Sequence, residues 1–234
     1  MTWAADALAG LQRFLPGLRK ALPTPWQFLR NWQSTCFPER ALPMPPLVVT
    51  GLAGACKAVG RVDLACLLLI GFVGLLRTSE LLSLSVDNVR IYSPCLMVIA
   101  LLNTKSSRRK AGAEHVTIRD PVVILITQRV LQATPNHAAL YKSSRPQFAR
   151  EFRGLVQWAR LSDPRWTPDS LRRGGTTWFF HSCKSMDSTI LKGRWQAAVT
   201  ARMYIEDAVA QAVSVTLSPT HTSLFRYLTA ELIR

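Results

Sequence analysis

The sequence predicts a mainly helical domain that contains one small antiparallel β-sheet, a fold of the α+β class. From residue 46 onward, apolar residues recur at helical spacing through most of the chain. Between residues 89 and 118 the spacing changes to that of strands. An apolar run at 95–102 precedes a polar, basic turn at 103–112 and a returning strand at 113–118. We therefore expect a hairpin or a three-stranded sheet within a helical domain.

The remaining elements are predicted as helices from the same spacing. Pro121 and Pro168 suit the first turn of a helix, where a missing backbone N–H costs little. Thr78 opens a further turn after the most apolar of these segments. The predicted helices lie near residues 46–59, 62–76, 121–133, 145–161, 168–181, 185–192, 196–214 and 221–233.

A proline-rich segment divides the chain. Residues 37–46 contain four prolines in ten positions, which is typical of an extended linker. We place a partial helical segment at 1–38, the linker at 39–46 and the main domain at 47–234. Because the first segment carries more apolar residues than so short a piece can bury, we expect it to be the tail of another domain.

The charge balance points to a polyanionic partner. Twenty-nine Lys and Arg against fourteen Asp and Glu give a net charge of +15. So basic a domain usually binds nucleic acid, although a basic surface that serves only solubility is the alternative. The apolar run 64–76 is shorter than the roughly 20 residues that cross a bilayer. Since the N-terminus also lacks the pattern of a signal peptide, we expect an intracellular protein associated with DNA.

The cysteines and histidines give no sign of a metal site or of disulfides. The five cysteines have no paired spacing, and the four histidines are scattered. Cys56 and Cys66 lie in apolar helical stretches, where cysteine behaves as a small apolar residue. An odd count without a secretion signal favours reduced, structural thiols. We expect no metal and no cofactor.

Arg77 is the first candidate functional residue. It ends a strongly apolar helix, and burial of a guanidinium is costly without an anionic partner. Glu80 follows at i+3, on the same helical face, and could orient the Arg77 guanidinium. The alternative is a surface arginine whose stem covers the helix end.

The basic turn at 103–112 is the second candidate. Its functional interpretation is a strand tip that enters a DNA groove, with Lys105 as a positioned proton donor. Its other interpretation is a solvated turn. Phosphate-binding residues are also expected at Arg108, Arg109 and Lys110.

Two segments nearer the C-terminus complete the set. Arg172 and Arg173 lie near a predicted helix start, where the dipole and the two cations suit a phosphate. Tyr204 lies in a later helical segment, and Trp195 stands nine residues before it. A lone tyrosine on a helix usually serves only to pack against its neighbours. Tyr204 is a candidate because of its order and spacing relative to the other candidate residues.

Together these motifs resemble the tyrosine recombinase, or phage integrase, family over about residues 42–212. That family's active-site order is Arg, Lys, (His/Lys)-x-x-Arg, His/Trp and Tyr. In that order this chain has Arg77, Lys105, Arg172, Trp195 and Tyr204, with Glu80 beside the first arginine. The resemblance implies a tyrosine recombinase catalytic domain, preceded by part of a helical core-binding domain.

Asp169 departs from the family pattern. Three residues before Arg172 the family has His or Lys, whereas this chain has a carboxylate that would neutralise part of the phosphate-binding charge. Asp169 could accept a proton from an approaching hydroxyl, cap the helix or face solvent. The substitution raises the possibility of weak activity without changing the expected fold.

The resemblance implies strand cleavage through a covalent DNA–protein bond. Arg77 and Arg172 would clamp the non-bridging phosphate oxygens, and Trp195 would donate its indole N–H to them. Tyr204 would attack phosphorus to form a 3′-phosphotyrosine, and Lys105 would protonate the leaving 5′-oxygen. Arginines would supply the electrostatic stabilisation that a metal otherwise supplies.

Double-stranded DNA is the expected partner. Further phosphate contacts are expected from Arg145, Arg150, Arg153 and Arg173. The family typically assembles as tetramers that exchange a C-terminal element, for which residues 214–234 are the candidate, although a helix folded onto its own domain explains the same residues. The functional alternatives are a DNA-binding relic of a mobile element that has lost turnover and a type IB topoisomerase.

Overall fold

The computed structural model describes residues 2–35, 40–102, 113–205 and 217–233. The chain forms two compact units, Met1–Arg40 and Ala41–Arg234. Within the described ranges, every helix is too short or too polar to cross a bilayer.

The first unit consists of helix α1 (Thr2–Phe14), a 3-10 helix (Pro16–Lys20) and helix α2 (Pro23–Thr35). Leu29 is buried, but large apolar side chains such as Phe14 and Phe28 remain exposed. The unit thus has more apolar surface than it buries, as its sequence predicts. That it is part of a core-binding domain stays a prediction.

The second unit contains nine helices and three strands within the described residues, together with one 3-10 helix at Val86–Asn88. In chain order they are α3 (Pro46–Ala58), α4 (Val62–Val73), α5 (Thr78–Leu82), β1 (Val89–Ser93), β2 (Leu96–Leu101), β3 (Glu114–Ile118), α6 (Pro121–Ala133), α7 (Arg145–Trp158), α8 (Asp169–Cys183), α9 (Met186–Gly193), α10 (Ala198–Arg202) and α11 (Pro219–Glu231).

Helix α4 lies at the centre of the core and is buried over most of its length. An all-round apolar helix must be covered on every side, and α4 is in contact with α3, α6 and α8. Helix α11 packs against α3 of the same chain. The contact is close because Gly51 faces the Phe225 ring and Gly54 faces the Leu228 carbonyl, with no space for a Cβ atom at either glycine.

The sheet is antiparallel in the order β1–β2–β3, which confirms the three-stranded alternative and the α+β class. In the central strand, Val98 pairs with Arg90 on one side and Thr117 on the other. The alternate residues Met97 and Ile99 are buried, so one face of the sheet covers the helical core.

Several predicted boundaries shift. The helix predicted at 62–76 ends at Val73, because Leu75 adopts a left-handed conformation (φ 51°) that breaks the helix before Arg77. The predicted linker is shorter than 39–46, since Leu42 and Met44 are buried in the core of the second unit. Of the helix predicted at 196–214, only α10 is helical among the described residues. Tyr204 therefore lies in a turn after α10 and not in a helix, and 206–216 lie outside the described residues.

Candidate active site

Arg77 lies at the start of α5, directly after the turn that ends α4. Its backbone N–H donates to Oε2 of Glu80 at 2.9 Å, and its guanidinium Nη1 donates to Oε1 of Glu80 at 2.5 Å. The predicted contact between Arg77 and Glu80 is therefore present. The Arg77 side chain is 31% exposed, so the guanidinium is oriented by the carboxylate and remains accessible to a ligand.

Glu80 is a buried carboxylate surrounded by three guanidinium groups. Its side chain is 5% exposed, and its Oε2 lies 2.6 Å from Nη2 of Arg194 and 3.7 Å from Nη1 of Arg172. Burial acts to raise the pKa of Glu80, but Arg194, the Arg77 backbone N–H and the Arg77 guanidinium outweigh it, so the pKa is lowered. Glu80 is thus an ionised anchor for the arginines around it.

Arg172 is the most deeply buried cation of this cluster. It projects from α8 with 2% of its surface exposed, and its Nη2 donates to the Gly193 carbonyl at 2.8 Å. Its Nε and Nη1 have no hydrogen-bond acceptor among the described residues. Burial, with Arg77 and Arg194 nearby, lowers the pKa of Arg172 to about 10, which leaves it charged at neutral pH. Buried donors without acceptors are costly, and they suit an incoming anion.

Trp195 and Tyr204 pack around the Arg172 guanidinium. The Arg172 Cζ atom lies 4.9 Å from the Trp195 ring and 5.3 Å from the Tyr204 ring. The two aromatic rings are 5.1 Å apart, tilted by 35°. Cation–π contacts of this kind stabilise a buried guanidinium. Trp195 is buried and Tyr204 is partly exposed.

The segment that carries Tyr204 is held by α8. Thr177 donates from Oγ1 to the Tyr204 carbonyl at 3.1 Å, and Arg173 donates from Nη2 to the Met203 carbonyl at 2.9 Å. The Cζ atom of Arg173 lies 5.5 Å from the Tyr204 ring. Arg173 is buried, which differs from the surface DNA contact that the sequence predicts, and its observed contacts secure the tyrosine.

Asp169 is exposed at the first turn of α8. Its Oδ1 accepts a hydrogen bond from Oγ1 of Thr78 at 2.9 Å. Asp169 is the first residue of α8, after the N-cap residue Pro168, so it does not occupy the capping position that the sequence offered as one alternative. Because Thr78 follows Arg77 and Asp169 precedes Arg172 by three positions, this hydrogen bond links the two elements that carry the arginines.

The arginines of α7 lie on the surface beside this region. Arg145 and Arg153 are exposed and, with Thr78, Trp166 and Asp169, contribute to the lining of a cavity of about 300 Å³. Arg150 is also exposed and donates to Oε1 of Gln147 at 2.6 Å. The four predicted residues of the basic turn lie outside the described residues; they are Lys105, Arg108, Arg109 and Lys110.

Sequence reasoning missed two residues beside Trp195. A Cβ atom on Gly193 would lie 1.8 Å from the Trp195 ring, so only glycine allows the ring its position. Arg194 is buried against Glu80. Gly193 and Arg194 directly precede Trp195 in the sequence, but neither spacing nor composition distinguishes them from a helix end. Among the described residues there is no group of three or more His, Cys, Asp or Glu side chains placed to bind a metal.

The second unit has the fold of a tyrosine recombinase catalytic domain. Neither a protein-family model nor a curated protein matches the sequence, so the assignment rests on structural similarity. That similarity confirms the fold that the sequence motifs imply.

Three solved structures illustrate the match. XerA recombinase aligns with a TM-score of 0.60 and 14% identity over 78% of this chain and 67% of its own. XerH recombinase bound to its difH substrate before cleavage aligns with a TM-score of 0.57 and 14% identity, over 77% of this chain. The Tn1549 transposon integrase in complex with a circular intermediate DNA aligns with a TM-score of 0.55 and 14% identity, over 92% of this chain and 84% of its own. This chain spans about half the length of the XerH chains, 53% and 54%.

Proposed function

We propose that the chain is a site-specific DNA recombinase or integrase that breaks and rejoins DNA strands through a phosphotyrosine at Tyr204. One observation carries the proposal. Arg172 is a buried guanidinium with two donor nitrogens, Nε and Nη1, that lack acceptors among the described residues, and its Cζ lies 5.3 Å from the Tyr204 ring. This arrangement suits an anion held beside a phenol, as attack on a phosphodiester requires.

The chemistry follows from the groups around that anion. Arg77 and Arg172 flank the same Glu80 carboxylate, so both can hold the non-bridging oxygens of one phosphate. The Tyr204 hydroxyl gives up its proton to solvent, and its oxygen forms a bond to phosphorus as the bond from phosphorus to the 5′-oxygen breaks. Lys105 donates the proton that the leaving 5′-oxygen requires. Attack by a 5′-hydroxyl on the phosphotyrosine then reverses these bonds and rejoins the strand.

Trp195 supports Arg172 in this proposal. Its ring lies 4.9 Å from the Arg172 Cζ and it is itself buried, so it can fix the guanidinium and offer its indole N–H toward the same phosphate. No metal or cofactor takes part, because the guanidinium groups stabilise the added charge and the phosphotyrosine conserves the bond energy.

Double-stranded DNA is the proposed substrate. The net charge of +15 gives a strong attraction for the phosphate backbone. Arg145 and Arg153 are exposed next to Asp169, where they can contact phosphates flanking the one that is cleaved. The similar structures of XerH and of the Tn1549 integrase contain DNA. Binding should weaken steeply with salt, because each neutralised phosphate releases counterions.

A homotetramer on two duplexes is the proposed assembly. Helix α11 packs against α3 of its own chain, with Phe225 buried at Gly51. An exchange of C-terminal elements would place a neighbour's α11 in this same groove, since the glycines that admit the helix are present in every copy.

The second candidate is a DNA-binding relic without turnover. Asp169 favours it, because a carboxylate stands where the family has a cationic or proton-donating residue and is held there by Thr78. The two candidates share the DNA-binding surface and differ only in the covalent step.

A covalent-trapping experiment separates the candidates. The protein is incubated with a random-sequence library of nicked suicide duplexes. The complexes are washed under denaturing conditions, and the DNA that stays attached to the protein is sequenced. We expect adducts with the wild-type chain and with Tyr227→Phe, a matched change at an exposed tyrosine of α11, but none with Tyr204→Phe. Binding without adducts indicates the relic. Adducts that persist in Tyr204→Phe overturn the assignment of the nucleophile.

A further inference from the structure

Arg194 is a buried guanidinium that the proposed chemistry does not use. Its side chain is 8% exposed, and it adopts a left-handed backbone conformation (φ 57°) at the end of α9. Left-handed φ values are unfavourable for arginine, and burial of the charge adds a further cost. Both costs require compensation by specific contacts.

Those contacts join four elements around Glu80. Nη2 of Arg194 lies 2.6 Å from Oε2 of Glu80 on α5, and Nε lies 3.3 Å from Oε2 of Glu114 on β3. Nη1 and Nη2 also donate to the carbonyls of Gly74 and Leu75, both at 3.4 Å, in the turn before Arg77. One side chain thus connects the end of α9 with the turn, the short helix and the sheet.

The neighbours of Arg194 explain why this connection matters. The carbonyl of Gly193 accepts the hydrogen bond from Arg172, and the ring of Trp195 packs on the same guanidinium. Residues on both sides of Arg194 therefore hold Arg172, while Arg194 itself holds the carboxylate that orients Arg77. A shift of this segment would move both phosphate-binding arginines at once.

We propose that Arg194 is a positioning residue for strand cleavage. It holds Arg77 and Arg172 in their positions relative to each other by binding Glu80 and by fixing the segment that contacts Arg172. The proposal rests on the recombinase function proposed above. Arg194 does not touch the phosphate in this scheme, because its guanidinium is enclosed by Glu80, Glu114 and the carbonyls of the turn.

The charge of Arg194 also keeps Glu80 ionised. Burial would raise the pKa of Glu80, and Arg194 is the largest of the contributions that lower it. The charged groups that face Glu80 among the described residues are Arg77, Arg172 and Arg194. Removal of the Arg194 charge should therefore raise the pKa of Glu80, and protonated Glu80 would hold the other two arginines less firmly.

The test uses the full chain and a duplex recovered from the covalent-trapping experiment. Single-turnover cleavage is measured across pH for Arg194→Lys and Arg194→Met, together with DNA affinity and the pKa of Glu80 by carboxyl ¹³C NMR. Arg160→Met is the matched control, since Arg160 has a similar φ of 55° but is exposed. We expect it to cleave within about twofold of wild type.

We expect Arg194→Met to cleave about a hundredfold more slowly at unchanged DNA affinity, because a small misplacement of the arginines suffices for such a loss. Its rate should fall further toward acidic pH as the raised Glu80 pKa is approached. Arg194→Lys keeps the charge but not the forked geometry, so we expect about a tenfold loss with a low Glu80 pKa.

Three outcomes would overturn the proposal: a wild-type rate in Arg194→Lys, an unchanged Glu80 pKa in Arg194→Met, or parallel losses of affinity and cleavage. If Arg194→Met does not fold, the rate and affinity of Arg194→Lys decide. If the wild-type chain forms no adduct, the proposed function fails, whereas the NMR measurement still tests the link between Arg194 and Glu80.

Discussion

The hydroxyl of Thr78 donates a 2.9 Å hydrogen bond to the carboxylate of Asp169. Thr78 directly follows Arg77, and Asp169 lies one helical turn before Arg172. The residue that departs from the family pattern therefore acts as a tether between the elements that bear the two arginines. It also places a negative charge beside a site that we propose for a phosphate.

Asp169→Asn distinguishes the effect of the hydrogen bond to Thr78 from the effect of the negative charge of Asp169. Asparagine keeps an oxygen acceptor for Thr78 but removes the repulsion of the phosphate, so we expect tighter DNA binding and cleavage about two- to tenfold faster. Thr78→Val is the matched change that keeps the charge and removes the tether, and it should slow cleavage. Slower cleavage by Asp169→Asn would instead show that the carboxylate itself takes part, for example as a proton acceptor.

Gly193→Ala tests whether the position of the Trp195 ring against Arg172 matters for cleavage. A Cβ atom would lie 1.8 Å from the indole ring, so the ring must move away from Arg172. We expect cleavage to fall about a hundredfold while DNA affinity stays within about twofold. Tryptophan fluorescence of the variant should shift toward that of an exposed indole. An unchanged rate would show that Trp195 has no part in holding Arg172.

The buried carboxylate of Glu80 makes stability depend on pH. Its pKa is lowered in the folded chain, so its contribution to the free energy of unfolding is present above the usual pKa of glutamate and is lost as pH falls toward the lowered value. Glu80→Gln should be less stable at neutral pH by about 3 kcal/mol, and the difference from wild type should shrink below about pH 4.5.

Urea unfolding between about pH 2.5 and 7 measures this difference. Asp187→Asn, a change at an exposed carboxyl of α9, is the control and should reproduce the wild-type curve. A constant difference between Glu80→Gln and wild type across this range would contradict a lowered Glu80 pKa.

Two glycine substitutions test the packing of the C-terminal helix. A Cβ atom at Gly54 would lie 1.9 Å from the Leu228 carbonyl, so Gly54→Ala should separate α11 from α3 and destabilise the chain by about 3 kcal/mol. Gly154 is an exposed position of helix α7, and a Cβ atom there would have nothing within 4 Å, so Gly154→Ala should stabilise the chain by about 0.5–1 kcal/mol. Thermal unfolding measures the stability of both variants. Equal effects of Gly54→Ala and Gly154→Ala would contradict the packing of α11 against α3.

The thiols should differ in reactivity. Burial raises the pKa of Cys56 and of Cys66 to about 12, so neither forms a thiolate at neutral pH. Cys95 and Cys183 are exposed. Under native conditions iodoacetamide should modify Cys95 and Cys183 and leave Cys56 and Cys66 unmodified until the protein is denatured, as peptide mass spectrometry can determine. Early modification of Cys66 would contradict the position of α4 in the core.

The sequence predicted the elements better than their ends. The apolar run of α4 and the alternation in β2 are local patterns, so their type and approximate extent followed from spacing. The end of α4 did not, because the left-handed Leu75 is stabilised by packing between distant segments. The contact between Arg77 and Glu80 is also local, but its geometry differs from the predicted one: Arg77 is the extended N-cap residue of α5, and Glu80 accepts its backbone N–H as in a capping box.

Taken alone, the sequence determined the α+β class, the basic character and the order of the motif residues, because composition and local periodicity are properties of neighbouring positions. Only the tertiary structure decided that Arg173 holds the Tyr204 segment, that Asp169 bonds Thr78 and that Arg194 binds Glu80. Those contacts join residues 30, 91 and 114 positions apart. A buried charged group pairs with whichever oppositely charged or polar group lies near it in the folded core. Which groups lie near each other cannot be inferred from their spacing along the chain.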